Sequence, residues 1–389
     1  MRSWFVRLRA DPGLALLLIA IASVTAIYAS TIARGLVNYD DTALIRDNWL
    51  VQEPSWSAVK TILFDLEAHR RFVSAPEYLP VRDLAVMLDV AIWGDWYGGH
   101  HLTNLVLYLA AILVWFRALE AFGIERTTAG LAVLLWALHP AHAESVAWLS
   151  ERKGLLGALF CGIATLGFAR FRAGRSPRWL VLAAGLAVCA VWSKAIAAFG
   201  IAAIAGLEVV LPALRSSWRR SLAGLGVIAT VSALAFIPVL SIATSASVVG
   251  TEVAAPAGRI ELVLGTLGFY TRLGAMLMPN AISYPIATDG PQWFDTVLGV
   301  LALAALIAAL ALPHRISAPV RAAAVLVVVT WIPVSHLVLP LQMVLVADRY
   351  LLLPTLGLAL AAAHALRLVP NPRYRTLLIA TVALAAGLR

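Results

Sequence analysis

Apolar runs, most of them roughly 15 to 23 residues long, recur along this chain of 389 residues, and no other feature constrains its fold as much. About 20 such residues suffice for a helix to cross the hydrocarbon of a bilayer. The runs fall at 13–33, 102–116, 127–141, 154–169, 179–193, 195–214, 221–243, 260–278, 293–312, 322–347, 350–366 and 376–388, which makes twelve candidates. Only 13% of the residues are charged and 61% are apolar, against roughly a quarter charged in a soluble domain. A soluble globular protein is therefore excluded, and the fold class is all-α, polytopic and membrane-embedded.

The formal charge of +9 does not indicate nucleic acid, because the basic residues are scattered between apolar runs and form no stripe. They orient the chain instead. Arg2, Arg7 and Arg9 precede the run 13–33, which reads as an uncleaved anchor with its N-terminus inside. If the run 260–278 crossed, the basic loops at Arg315, Arg321 and Arg367 to Arg375 would fall outside. That run carries Glu261, Tyr270 and Arg272, so it is expected to lie in the outer interface, which leaves about 11 crossings. Inside segments then hold 17 basic residues against 4 acids and outside segments 13 against 17, dividing the +9 into +13 and −4. Acid enrichment outside is no part of the positive-inside tendency, so a site on the outer face is expected. The stretch 34–101, with Pro54, Pro76 and Pro80, is expected to be a large first outer loop of short helices, and 241–292 a second outer region holding the interfacial helix. The whole of 1–389 is read as a single transmembrane domain. Cys161 and Cys189 lie inside apolar runs as small hydrophobes.

Five polar clusters map to the outer side of this topology. They are Asn38-Tyr39-Asp40-Asp41; Arg82-Asp83 with Asp89, Trp93 and His100-His101; His139 through Lys153; Ser193-Lys194; and Asp348-Arg349-Tyr350. Two of the three lysines in the chain, Lys153 and Lys194, fall within them.

The tyrosine-diaspartate, the Trp93-Gly94 followed by His100 to Asn104, the HPxHxESVAWxSERK run at His139 to Lys153 and the VADRYLxLP run at Val346 to Pro354 resemble the membrane part of TMTC-type O-mannosyltransferases and their bacterial relatives. The resemblance spans roughly 36–389 and implies a GT-C-like glycosyltransferase. Relatives often carry tetratricopeptide repeats after the last helix; none is read here. Ala195 and Asp83 depart from the family pattern, which usually has an acid and a proline there.

The resemblance implies transfer of a mannose-like sugar from a polyisoprenyl-phosphate donor to a protein, glycan or lipid hydroxyl, with inversion expected. A carboxylate beside the anomeric carbon accepts the acceptor's proton. That role goes to Asp40, with Asp41 close behind, since the sequence does not separate the two; both also suit a helix-end cap. The departing lipid phosphate needs cations. Arg349 is the first choice because a guanidinium binds phosphate bidentately, with Arg152, Lys153, Lys194 and Arg82 also available. Each of these also suits a salt bridge or interfacial anchoring. His139, His142 and Glu144 are expected to hydrogen-bond sugar, phosphate or a neighbouring loop. Pro140 interrupts a helix between the histidines and no third strong ligand has zincin-like spacing, so a divalent metal has room but is not indicated, and no cofactor is expected. Tyr284-Pro285 resembles a family element that would line a lipid groove or simply form a turn. Two other functions compete: a flippase of lipid-linked saccharides, which predicts paired repeats and midplane polar residues, and a non-catalytic membrane scaffold. The 27 arginines against three lysines favour a bacterial plasma membrane with the site facing the periplasm.

Overall fold

A computed structural model describes residues 11–37, 39–70, 77–211, 217–245, 258–276, 278, 280–281, 284, 291–338, 344–371 and 373. Among them the regular structure is entirely helical. The helices are α1 (Pro12–Tyr28), α2 (Trp49–Gln52), α3 (Trp56–Phe64), α4 (Leu66–Arg70), α5 (Pro80–Trp93), α6 (Tyr97–Ala121), α7 (Arg126–Ala137), α8 (His142–Ala147), α9 (Arg152–Arg172), α10 (Arg178–Ser193), α11 (Ala197–Val210), α12 (Trp218–Ser245), α13 (Arg259–Gly274), α14 (Trp293–Ala311), α15 (Ala318–Trp331) and α16 (Pro354–Arg367). Asp11 caps α1 by accepting from the Leu14 N–H at 3.0 Å, and Pro12 occupies the first turn, where no amide is needed.

Five described helical segments are long and apolar enough to cross a membrane: Pro12–Ala33, Tyr97–Ala121, Leu149–Arg172, Trp218–Ser245 and Trp293–Ala311. That is the makeup of a multi-pass membrane protein. Arg178–Ser193, Ala197–Val210 and Ala318–Val334 are apolar but shorter. The expected 11 crossings therefore do not correspond one for one to helices of spanning length. The run 322–347 is the clearest difference. Its helix α15 gives way to a 3-10 turn at Ile332–Val334, where Pro333 lacks an amide to donate, and the chain then bends through His336 at φ +62°. The run 260–278 forms α13, whose 16 residues extend about 24 Å, short of a hydrocarbon core of about 30 Å. The run 376–388, Arg2 to Arg9, Asn38 and Pro285 lie outside the described residues.

Neighbouring helices close a ring: α1 on α7, α7 on α16, α16 on α15, α15 on α11, α11 on α9, α9 on α6, and α6 on α1. The core fills this ring with Tyr108, Trp115, Trp136 and Phe168, all buried. Buried indoles need an acceptor, and they find it in backbone carbonyls: Trp115 Nε1 donates to Ala158 at 2.9 Å and Trp136 Nε1 to Leu352 at 2.6 Å. Outside the ring, α10 packs on α9 and α12, and α13 pairs with α14.

Where lipid removes the hydrophobic drive for association, small residues allow backbones to approach. A Cβ at Gly268 would overlap the Asp295 carbonyl oxygen, and one at Gly299 would overlap that of Leu264. Arg272 closes the same pair by donating from Nε and Nη2 to Asp295 at 2.6 and 2.9 Å. Gly268→Ala is therefore expected to force α13 and α14 apart and to cost about 1–3 kcal/mol. A melting temperature in detergent equal to that of the unaltered protein would contradict this packing.

Candidate active site

The polar clusters meet at one end of the ring, where α6, α9 and α16 begin and α7 and α10 end. The hub is the segment from His139 to Lys153, which runs from the end of α7 through α8 and a 3-10 turn into α9. Each polar residue along it holds a different element. Thus His139 Nε2 donates to the Gly274 carbonyl of α13 at 2.9 Å, while its Nδ1 accepts from the Ala141 N–H at 3.2 Å. His142 lies 2.6 Å from Tyr108 Oη through Nδ1 and 2.8 Å from Thr355 Oγ1 through Nε2, linking α6 to α16. Glu144 binds the Arg349 backbone N–H at 2.8 Å and pairs with its guanidinium. Ser150 donates from N–H and Oγ to Asp41, at 2.8 and 2.5 Å. Lys194 Nζ donates to Glu151 at 2.6 Å, and Glu151 also lies 3.5 Å from Arg349 Nε. Lys153 Nζ donates to both oxygens of Glu77, at 3.0 and 3.2 Å.

Arg152 has a different use from the phosphate binding expected of it. It is fully buried, with Nε donating to Asn104 Oδ1 at 2.8 Å and Nη2 donating to the His100 carbonyl at 2.9 Å while lying 2.6 Å from Asp89. A guanidinium enclosed in this way holds α9 to α5 and α6. Both ring nitrogens of His139 and of His142 are likewise occupied by protein groups, and burial pushes both imidazoles below the ordinary histidine value. Of the uses expected for them, sugar, phosphate or a neighbouring loop, the structure shows contacts within the protein: both join helices. Among the described residues no group of three His, Cys, Asp or Glu is placed to hold a metal. Arg82 is also buried, donating to Asp83 at 2.8 Å and to Glu77 at 2.5 Å. Among the described residues it reaches the cluster through Glu77. Neither His100 nor His101 is in a loop: both lie in the first turns of α6 and face backbone carbonyls of Gly94 and Gly35.

Asp40 and Asp41, inseparable in sequence, differ in their surroundings. Asp41 is fully buried and accepts from the Val37 N–H at 2.9 Å as well as from Ser150, so its carboxylate is spent on fastening the first loop to the hub. Asp40 is half-buried, and no hydrogen bond to its carboxylate is found among the described residues. Burial raises its proton affinity above the usual carboxylate range; Lys153 and Arg349 act against this, and Glu77 and Glu151 reinforce it.

Two cations act on Asp40, Lys153 and Arg349, and a third, Lys194, joins them through Glu151; each is already matched by a carboxylate: Lys153 by Glu77, Lys194 by Glu151, and Arg349 by Glu144 and Glu151. Burial alone would raise the proton affinity of Glu77, but Lys153 and Arg82 overcome it and bring the carboxyl down to about 2. For Glu144 burial prevails over Arg349 and the shift is upward. Arg349 also lies over the rings of Trp148 and Tyr350, with centroids at 5.5 and 5.3 Å. Its neighbour Asp348 accepts from Tyr284 Oη at 2.5 Å and Asn280 at 2.7 Å, anchoring the chain that follows α13. Tyr284 thus fastens a loop.

Sequence reasoning left out Glu77, and it gave Glu151 no role. Glu77 has no motif around it in the Pro76 to Pro80 stretch. Glu151 lies inside the SERK run, where two adjacent cations and an unpaired acid were the available signal.

Two residues along the chain from Arg349, Leu351 opens onto a cavity of ≈ 360 Å³ between α7, α13, α15 and α16. Its walls are mostly apolar and include Leu135, Leu267, Trp331, Leu358 and Ala362.

No protein-family model matches the chain. Over 220 residues, half of its length, it is 30% identical to Protein O-mannosyl-transferase Tmtc3 of Drosophila melanogaster, of which it covers 23%. Over 160 residues, 39% of its length, it is 25% identical to human Protein O-mannosyl-transferase TMTC3, of which it covers 16%. The chain thus spans less than a quarter of either relative. Among solved structures it is similar to the Archaeoglobus fulgidus oligosaccharyltransferase tethered with an acceptor peptide containing the NVT sequon, with a TM-score of 0.47 and 13% identity over 99% of this chain and 54% of that one. In sequence, then, this all-helical membrane chain is similar to a protein O-mannosyl-transferase over half of its length.

Proposed function

We propose that the chain is a GT-C-type glycosyltransferase that moves a sugar, mannose-like by its relatives' names, from a polyprenyl-phosphate donor to an acceptor hydroxyl. The observation that carries this reading is the contrast between Asp40 and every other carboxylate around it. Glu77, Glu144 and Glu151 are matched to cations, whereas Asp40 stands half-buried with its oxygens uncommitted among the described residues. A carboxylate with raised proton affinity beside a cation cluster suits a general base facing a phosphate leaving group.

In this reading the acceptor oxygen attacks the anomeric carbon and its proton passes to Asp40. The bond from that carbon to the lipid phosphate oxygen breaks, and the electron pair leaves with the phosphate. Arg349, with Lys153 and Lys194 beside it, meets the growing negative charge. An apolar cavity beginning two residues from Arg349 suits an isoprenoid tail. One displacement inverts the anomeric configuration.

The base must be ionised to act, and Asp40 binds its proton more tightly than an ordinary aspartate. The acid limb of kcat/KM is therefore expected to rise through a midpoint above the usual carboxylate range of about 4. Transfer from a polyprenyl-phosphate sugar to a hydroxyl acceptor in vesicles, followed across pH, tests both points. No transfer with any such donor would overturn the reading, and an acid limb at or below about 4 would overturn the role of Asp40.

A further inference from the structure

At the end of the ring away from the candidate site lies a second charged surface that the proposed chemistry does not use. Helix α9 begins at Arg152 in the hub and ends at Arg172, 21 residues or about 31 Å away, close to the thickness of a hydrocarbon core. Around its far end lie Arg117 at the end of α6, Arg170 and Arg172, the exposed Arg175, the exposed Arg178 and its neighbour Trp179 opening α10, and Trp218, Arg219 and Arg220 opening α12.

Some of these cations have internal partners. Arg172 pairs with Glu208, Arg117 pairs with Glu120, and Arg220 donates to the Phe171 and Arg175 carbonyls. The last contact fixes the 173–177 turn against the start of α12, so the turn and that helix start form one surface. The rest have none: among the described residues no carboxylate pairs with Arg170, Arg175, Arg178 or Arg219. Arg170 lies over the Trp179 ring at 4.3 Å, and Arg178 lies over the same ring at 5.9 Å. Several guanidiniums thus share one patch, two of them on a single indole, and the exposed Trp218 flanks them at the depth where tryptophan meets headgroups.

We infer that this surface, built from the α9–α10 turn and the start of α12, binds the phosphate of an anionic phospholipid headgroup. The groups present supply what such a ligand requires: several uncompensated guanidinium forks, indoles for the glycerol and upper acyl region, and a position about one hydrocarbon thickness from the candidate site. Helix-dipole attraction accounts for one or two arginines at the end of α9. It does not account for Arg178, which opens α10, or for Arg219, which opens α12, where the dipole repels cations.

The test uses the full chain purified in a mild detergent with mixed phosphatidylglycerol and phosphatidylcholine, with retained lipids counted by native mass spectrometry. The unaltered protein is expected to retain phosphatidylglycerol in preference. The triple variant Arg170→Gln, Arg175→Gln, Arg178→Gln is expected to lose that preference, at roughly fivefold in affinity per charge removed. A variant at two basic positions on other elements, Arg315→Gln with Arg373→Gln, is expected to keep it. Melting temperature in phosphatidylcholine alone shows whether the triple variant is folded; if it is not, Arg175→Gln with Arg178→Gln, both exposed, takes its place. Equal retention of the two lipids, or a preference that survives in the folded variant, would overturn the inference. So would displacement of phosphatidylglycerol by millimolar inorganic phosphate, which would mark a site for free anions.

Discussion

Asp40→Asn is expected to lower kcat for glycosyl transfer by about 10²- to 10⁴-fold, the usual worth of a positioned general base. KM for the lipid donor should change little, because Asp40 makes no hydrogen bond to any of the three cations that would hold the phosphate. The fold should also survive. No structural hydrogen bond to the Asp40 side chain is lost among the described residues, and removing a half-buried charge relieves desolvation. Asp41→Asn is the informative comparison. It leaves the base in place but weakens the clasp to Ser150 and Val37, so a loss of about 1–3 kcal/mol in stability should accompany any loss of rate. A variant at Asp40 that retains full transfer while the one at Asp41 is inactive but folded would reverse the two roles.

How much of this was legible in the sequence differs between the helices and the site. Runs 293–312 and 221–243 became α14 and α12 nearly residue for residue, because an unbroken apolar stretch has few alternatives. The run 322–347 looked equally continuous, yet Pro333 and the bend at His336 divide it, a local backbone effect that hydropathy does not register. Helix α6 begins at Tyr97, before its apolar run, and takes Gly98 and Gly99 into its first turn. Glycines usually mark a loop, but here a Cβ on Gly98 would overlap the Ile32 carbonyl oxygen and one on Gly99 the Trp93 ring, so close packing demands them inside the helix. At the site, the five clusters do connect: Arg82 through Glu77 to Lys153, Asp89 to Arg152, and Lys194 and Arg349 through Glu151. What the sequence does not disclose is which members face outward. Arg152 and Lys153 are adjacent, but the first turns of α9 send one inward to Asp89 and the other toward Asp40. A hundred-degree step per residue along a helix separates a structural ion from a site ion, and the pattern of residue types carries no trace of it.

That separation makes Arg152 and Arg349 opposite in their expected effects. Arg152→Met removes, among the described residues, the only arginine or lysine paired with Asp89, itself 2% exposed, and at the same time takes the donors from Asn104 Oδ1 and the His100 carbonyl, which a proton on Asp89 cannot replace. Breaking a buried pair in this way costs about 3–5 kcal/mol, so the protein should melt far earlier or fail to fold, whatever its substrate. Arg349→Gln leaves Glu151 still paired with Lys194, and Glu144, whose proton affinity burial already raises, can take up a proton in place of its lost partner. Its melting temperature should fall by less, while kcat should fall by about 10²- to 10³-fold if the guanidinium meets charge on the departing phosphate. Measuring melting and transfer on the same two preparations separates the roles. An Arg152 variant that melts normally but transfers nothing would return that residue to the phosphate. A transfer-competent Arg349 variant would leave the leaving group to Lys153 and Lys194, the remaining cations of the cluster.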